Sequence, residues 1–325
     1  MEKINTAGKF SAFIRYDEPM SRHTTFKVGG KADVFVRPPK YIFPFYAAKL
    51  LKAAEQEGIP VFILGAGANI VVSDNGIRGI VLDTGAFRGV GKKEDRIIRD
   101  SFEALKAQRD KSFFSVSVLS GTSVDALTFR LAERGLSGLE FLAGMPGSVG
   151  GAVWMNARCY EKSVSDALIE TEILDEDFKR QTIPFRAEDF SHKKSPFQSR
   201  KVLILSARFA VEFGESQDIH KKIISYRGDR DDKGHYRFPS AGSAFKNNHA
   251  FGEPTGKIID RLGLKGFSIG GAQVAPWHGN IIINTGNATA GDIKILMDEV
   301  ARRVKEELGF DLESEILFVG EWDRE

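Results

Sequence analysis

Leu142–Ala157 reads LAGMPGSVGGAVWMNA, with glycine at 144, 147, 150 and 151 and mostly small residues around them. Such a stretch offers little core and predicts a poor helix, because glycine loses more backbone freedom on ordering than any other residue. Glycine earns its place where another group must come close to the main chain. Most glycine-rich segments are simply surface loops. This one is apolar rather than rich in Ser, Asn and Asp, and it leads into AVWMNA, which reads as buried. Bare backbone beside buried backbone suggests a large flat ligand against main-chain amides, with Ser148 and several N–H groups available to phosphates.

A second glycine pair, Gly65 and Gly67, lies in ILGAGANIVVSDNG. A dinucleotide fingerprint needs a third glycine and must open a helix. Ile70 occupies that third position, and IVV continues as a strand. The letters alone favour a tight turn between strands, although its amides can still form an anion-binding nest. Asn69 either caps that turn or touches a ligand.

Working outward, YIFPFYAAKLLKAAEQEGIP predicts a helix ending near Glu57, with Gly58 as its left-handed stop. VFILG reads as a buried strand. IVVSDNGIRGIVLD reads as strand, Asp-Asn-Gly turn, strand. GTSVDALTFRLAERGLSG is a helix with Ser123 as N-cap, Val124, Leu127 and Leu131 on one face, and Gly135 as its stop. Strand-like runs alternate with turns through VLILSARFAVEF, and the polar GESQDIHKK reads as a junction. A long amphipathic helix is expected from about Ala290 to Leu308, its stripe formed by Ile293, Leu296, Val300, Val304 and Leu308, with Gly309 closing it. The strand LESEILFVG follows. Elements mix without a strict βαβ repeat, so the class is α+β.

The 325 residues exceed one small core. A formal charge of +2, from 46 basic and 44 acidic residues, gives no general field for nucleic acid. Cys159 stands alone, which excludes an internal disulfide and a CxxC metal or redox site. No apolar run reaches the length of a membrane span, and MEKINTAGKF lacks the apolar core of a secretory signal. A cytoplasmic location is expected. Residues 88–112 are charge-rich and read as a solvated surface excursion without assigned function.

Six motifs then stand in register: HTTFKVGGKAD, ILGAGANIVVSDNGIRGIVLD, GLSGLEFLAGMPGSVGGAVWMNA, PSAGSAFKN, GLKGFSIGGAQVAPWHGNIIIN and LESEILFVG. In content and order they resemble the UDP-N-acetylenolpyruvoylglucosamine reductases, from about residue 20 to 320. The resemblance implies an FAD-binding fold of the vanillyl-alcohol-oxidase type in two subdomains, 1–60 and 61–213. A C-terminal substrate domain, 214–325, would follow. It implies FAD as cofactor, NADPH as co-substrate, a nucleotide-sugar substrate, and a chain acting as a monomer. The FAD diphosphate would lie against Gly65, Ala66, Gly67, Ala68 and Asn69, and against Gly144, Pro146, Gly147, Ser148, Gly150, Gly151 and Ala152.

The resemblance also assigns chemistry. Ser243 in PSAGSAFKN matches the family's proton donor, and Ala241, Gly242 and Ala244 leave its hydroxyl open. A hydroxyl is a feeble acid, but the carbanion it would protonate is a strong base. Read from the letters alone, Ser243 would simply cap a turn after Pro239. Lys246, Asn247 and His278 are assigned to the substrate. Glu315 matches the family's catalytic glutamate. Alternation puts it with Leu317 and Val319 on one face of a strand expected to be sandwiched, with Glu313 as its solvated neighbour.

Two positions depart from the family. Where it has Tyr-Arg-x-Ser-x-Phe, this chain has HKKSPF, so Lys193 replaces an arginine and loses the flat bidentate fork. Lys193 does that work less exactly, the substrate sits differently, or Arg227 or Arg230 reaches in. His192 replaces the tyrosine. NARCYEKSVSD puts Arg158, Cys159 and Glu161 where the family has small residues. Arg158 either pairs a phosphate or points to solvent. Beside the reductase reading stand another FAD-dependent oxidoreductase of this fold and a non-catalytic binder of FAD or a nucleotide sugar.

Overall fold

The computed structural model describes residues 11–94 and 113–322. Most of the charge-rich excursion, residues 95–112, lies outside the described residues. Its start does not project as a loop: Val90–Glu94 is a strand. The chain forms two compact units that alternate along the sequence. Unit 1 holds Met1–Ile14, Val36–Ala66 and Leu82–Gly228, and unit 2 holds Arg15–Phe35, Gly67–Val81 and Asp229–Glu325. Helices and strands mix in both, as an α+β fold requires.

Unit 1 is built on an antiparallel sheet ordered Arg180–Pro184, Leu168–Leu174, Leu203–Phe213, Phe113–Leu119, Val90–Glu94, with Leu136–Ser137 pairing the end of the long central strand. Val116, Val118, Ala207 and Phe209 bury their side chains against Val124, Leu127 and Leu131 of the helix Val124–Ala132. Ser123 starts that helix by accepting the Ala126 N–H, and Gly135 lies beyond it with φ 62°. The helix Phe43–Gln56 carries a proline in its first turn and is followed by Gly58 at φ 66°.

The glycine-rich stretch departs from its reading. Val149–Trp154 is a short helix, and Gly150 and Gly151 lie inside it. Ser148 caps it by accepting the Gly151 N–H, and Val149 and Val153 are buried in the main core of the unit. Capping and burial together offset the poor propensity of two adjacent glycines.

Unit 2 is organised around the helix Ala290–Leu308. Its N-terminus has a reciprocal Thr289–Asp292 capping box, and Gly309 closes it at φ 73°. The Asp74 carboxylate accepts the next two amides, from Ala290 at 3.0 Å and Gly291 at 2.9 Å. Ile293, Leu296, Met297, Val300 and Val304 pack on Ile258, Ile259, Ala272, Val274 and Ile282. Ser268–Ile269, Ala272–Val274 and Ile282–Asn284 form a small antiparallel sheet.

Three further segments can be set against their reading. Ile70–Val72 and Ile77–Asp83 are joined by the expected turn, with Gly76 at φ 84° donating to the Ser73 carbonyl at 2.9 Å. They are not a hairpin, however: Ile70–Val72 pairs in parallel with Leu317–Val319, and Ile77–Asp83 lies beside Lys31–Val36. A Cβ at Gly76 would stand 1.9 Å from the Lys31 carbonyl, so the turn is pressed against another segment that draws the second strand away. Next, GESQDIHKK opens the helix Ser216–Asp232. Finally, the strand after Glu315 is only Leu317–Val319, and Leu317 is 39% exposed, so it is not sandwiched.

Candidate active site

In unit 2, Ser243 sits in an extended segment held from both sides. Ser243 bridges Ile281, and Phe245 bridges Ser314. Ala244 donates its N–H to the Asn280 carbonyl at 2.8 Å and accepts the Glu315 N–H at 2.9 Å. One alanine therefore links the segments carrying Asn280, Ser243 and Glu315. The Asn280 side chain adds a second grip: Oδ1 accepts the Phe245 N–H at 2.9 Å, and Nδ2 donates to the Phe245 carbonyl at 2.8 Å. Asn280 is only 3% exposed.

The Ser243 hydroxyl itself makes no hydrogen bond among the described residues. A capping serine would accept a backbone N–H. The turn-cap reading therefore lacks its defining bond. Gly242 precedes it at φ 77°, and a Cβ built there would meet nothing within 4 Å. A half-buried hydroxyl thus stands without a hydrogen bond in a bonded frame, next to a residue with no side chain.

Glu315 is half-buried, and its carbonyl accepts Asn69 Nδ2 at 3.0 Å while Leu317 donates to the Asn69 carbonyl at 3.0 Å. Asn69, read as a turn cap or ligand contact, thus braces the backbone of Glu315. Lys246 pairs with Glu313, so the carboxylate expected to be idle restrains a residue assigned to the substrate. Asn247 Oδ1 accepts the Thr255 N–H at 2.9 Å and starts the helix Thr255–Arg261. His278 Nδ1 accepts the Asn280 N–H at 3.2 Å, which leaves its proton on Nε2. Burial lowers the His278 pKa, and burial together with the Arg230 charge lowers that of His235, 6.2 Å away between ring centres, to about 4. His278 is therefore a neutral donor at pH 7.

In unit 1 the two glycine stretches meet. A Cβ at Gly65 would lie 2.5 Å from Ser148 Oγ and 4.0 Å from the Gly151 nitrogen. At Gly150 it would lie 2.9 Å from Ser120 Cβ. The approaching group at these positions is the protein itself. Gly67, in unit 2, shows the same thing, with a Cβ site 2.1 Å from the His23 carbonyl.

Within residues 144–152 most amides are also committed. Gly144 donates to Asp125 Oδ1 at 2.6 Å, and Val149, Gly150 and Ala152 donate to the carbonyls of Thr122, Ser120 and Ser148 at 2.9, 2.8 and 2.8 Å. Gly151 donates to Ser148 Oγ at 3.3 Å. The amides of Gly147 and Ser148 make no hydrogen bond among the described residues. Beside Gly150, the buried Ser120 hydroxyl lacks a partner too. Two open amides and an orphaned hydroxyl near side-chain-free glycines fit the phosphate oxygens of FAD, on a narrower footing than the glycine count suggested.

The HKKSPF loop is fastened to the end of the Val149–Trp154 helix. Ser195 Oγ and Gln198 Nε2 donate to the Trp154 carbonyl at 2.6 and 3.0 Å, and Asn156 Nδ2 donates to the Ser191 carbonyl at 2.9 Å. Lys193 is half-buried at φ 58°, with its carbonyl accepting Gln198 Nε2 at 3.0 Å. Arg227 is engaged elsewhere, 2.5 Å from Asp125, which weakens it as a stand-in for the missing arginine. Arg158 is exposed, and Cys159 packs half-buried against the core.

Asn280, Asn156, Asp125 and Tyr160 are structural partners that the sequence reading missed. Tyr160 stands at φ 49° and donates its hydroxyl to the Tyr226 carbonyl at 3.0 Å. The available signal for Asn280 was an asparagine at the edge of the apolar run Ile281–Ile283, in GNIIIN.

Two family models match the chain. Residues 47–182 match the model of an FAD binding domain, and residues 234–319 match the UDP-N-acetylenolpyruvoylglucosamine reductase C-terminal domain. The reductase of Treponema denticola is 40% identical over 321 residues, covering 95% of this chain and 94% of that protein. That of Borreliella burgdorferi is 37% identical, covering 93% of each. The crystal structure of the reductase from Thermus caldophilus superposes with a TM-score of 0.71 at 31% identity, over 94% of this chain and 99% of that one. No helix among the described residues is long and apolar enough to cross a membrane. With relatives aligned nearly end to end, the chain belongs to the UDP-N-acetylenolpyruvoylglucosamine reductase family.

Proposed function

We propose that this chain reduces UDP-N-acetylglucosamine enolpyruvate to UDP-N-acetylmuramate with NADPH, as a cytoplasmic monomer supplying peptidoglycan precursors. Bound FAD supplies hydride chemistry that links NADPH oxidation to reduction of the vinyl ether. Gly65–Asn69 and the stretch from Gly144 to Ala152 hold it, with Gly147 and Ser148 offering their amides to its phosphates. Residues 1–60 and 61–213 serve as the cofactor-binding subdomains, and 214–325 serve the substrate.

Ser243 delivers a proton to the ether-bearing carbon. Glu315, joined to Ser243 through Ala244, orients the substrate or assists that transfer. Lys193 faces the substrate carboxylate as a point charge. Lys246, Asn247 and the neutral His278 bind the nucleotide sugar.

The observation that carries this reading is the unpartnered Ser243 hydroxyl inside a fully bonded frame. The test is an anaerobic titration of purified protein. A yellow solution should bleach on NADPH and regain colour only on adding the enolpyruvyl sugar nucleotide. Recovery with other acceptors instead would favour a different oxidoreductase, and bleaching without recovery a binder. A protein that takes up no FAD would remove both flavoenzyme readings.

A further inference from the structure

We infer that Asn280 is a positioning residue for the protonation step, setting Ser243 against Glu315 through a side chain that imitates a neighbouring strand. The inference rests on the proposed role of Ser243.

Two segments flank Ser243, and they grip differently. On the Glu315 side, backbone bonds run from Glu315 N–H to the Ala244 carbonyl at 2.9 Å and from Lys246 N–H to the Glu313 carbonyl at 2.9 Å. On the other side, Ala244 N–H reaches the Asn280 carbonyl at 2.8 Å, and there the peptide ladder is replaced by a side chain. The Asn280 carboxamide meets both backbone groups of Phe245, at 2.9 and 2.8 Å. A carboxamide has the donor and acceptor of a peptide unit, so it can close such a ladder where the main chain turns away.

The main chain does turn away there. His278 N–H donates to the Ala275 carbonyl, Ile281 N–H to the His278 carbonyl, and Ala275 N–H to the Ile281 carbonyl, at 3.1, 3.1 and 2.8 Å. Asn280 thus occupies a tight turn between Ala272–Val274 and Ile282–Asn284. It is buried at 3% exposure, and Phe245 at 3% lies in the core. Three bonds from one residue fix Ala244 and Phe245, directly after Ser243.

The functional consequence follows from Gly242. It has φ 77°, and a Cβ placed there would meet nothing within 4 Å, so no side chain steadies the residue before Ser243. The direction of the Ser243 Cα–Cβ bond is then set by the bridge to Ile281 and by the bonds just after it, where Asn280 acts. Loss of the carboxamide should let that bond swing, and a displacement near 1 Å can lower a rate roughly 100-fold.

The test uses the FAD-loaded full chain with Asn280→Ala, and Asn280→Asp as a second variant that keeps the acceptor toward Phe245 and loses the amide donor. Anaerobic NADPH bleaching should stay within about twofold of the parent. Recovery of colour on adding the enolpyruvyl sugar nucleotide should slow roughly 10- to 100-fold, with little change in substrate KM. In D2O the new carbon–deuterium bond should lose stereochemical purity, because a swung hydroxyl no longer controls the face of protonation. Exchange of the Phe245 amide should speed up in the FAD-free protein as well. Added to Ser243→Ala, the Asn280 change should slow recovery little further, since both act on one step.

Equal slowing of both half-reactions, retained stereochemistry, or full additivity with Ser243→Ala would overturn the inference and leave Asn280 as ordinary core. If Ser243→Ala alone fails to slow recovery selectively, the proposed proton donor is wrong instead. If Asn280→Ala does not accumulate, Asn280→Asp decides by the same stereochemical and additivity measurements.

Discussion

The glycine turn of unit 1 and the serine segment of unit 2 use the main chain in opposite ways. Around Ser148, side chains are removed so that backbone and hydroxyls can crowd together, and most amides are taken up internally. Among the described residues of that stretch, two amides and the neighbouring Ser120 hydroxyl remain for a ligand. Around Ser243 the neighbouring backbone groups are bonded, and the side chain is the part left open. Holding phosphates needs several weak donors of modest accuracy, whereas protonating a carbon needs one group with little angular freedom. The two frames follow those demands.

The comparison breaks most visibly at Ser243. Ser243→Ala should slow substrate-dependent recovery of flavin colour roughly 100- to 10,000-fold, the range for a general acid. NADPH bleaching should change less than twofold, which stopped-flow absorbance would resolve. Equal loss in both phases would make Ser243 part of the scaffold.

The unit 1 frame can be tested with two adjacent glycines. At Gly150 an added Cβ comes 2.9 Å from Ser120 Cβ, whose residue is pinned by its own backbone bonds. Gly150→Ala should destabilise by about 1–2 kcal/mol, overpacking outweighing the gain in helix propensity. At Gly151 the nearest atom is Ser148 Oγ at 3.4 Å, an ordinary contact. Gly151→Ala should leave stability unchanged or raise it by about 0.5 kcal/mol. If that face receives the cofactor, the same change should weaken FAD retention. Urea titration with flavin release would separate the two effects, and similar behaviour of both variants would refute the packing account.

These positions also mark what was legible in the sequence. The helix Ala290–Leu308 was readable to its ends, because its apolar stripe and Gly309 are local signals. So were the Ser123 cap and the α+β class. The glycines at 65, 67 and 150 announced a close approach but not its partner, since Ser148, His23 and Ser120 are distant in sequence or carry no pattern. The Ile70–Val72 strand was legible but its partner was not, for the same reason: Leu317–Val319 lies some 250 residues on. Ser243 and Glu315 were found by resemblance, and Asn280 was not, because nothing local distinguishes an asparagine bonded to a remote backbone from one in a turn.

A smaller effect should appear with pH. His235 has a folded pKa near 4, lowered first by burial and then by Arg230, His278 and Lys233, against the opposing charge of Asp229. The unfolded chain takes up this proton near 6.5, so its contribution to stability is intact above that pH. It is lost as pH falls from about 6.5 to about 4. His278 shifts in the same direction. Urea midpoints measured across this range should fall with acid, and His235→Gln should flatten part of the slope. An unchanged slope would mean that His235 is solvated in solution.

The finest test inverts the glycine argument. Arg158–Cys159 pairs with Lys162–Ser163, joined by Tyr160 at φ 49° and Glu161 at φ 63°. A two-residue hairpin turn with both φ values positive favours glycine at its second position. Here that residue is an exposed glutamate. Tyr160 has compensation, since its ring lies 4.3 Å from that of Tyr226 and its hydroxyl is bonded to the Tyr226 carbonyl. Glu161 has no such contact among the described residues. Glu161→Gly relieves a left-handed strain of about 1–2 kcal/mol and adds unfolded-chain entropy of about 0.5–1 kcal/mol. The expected net gain is about 0.5–1 kcal/mol, read as a small rise in Tm with NADPH bleaching unaltered. A fall in Tm would show that the Glu161 side chain contributes a contact in solution, and that this turn, unlike the one at Ser148, does not want a bare backbone.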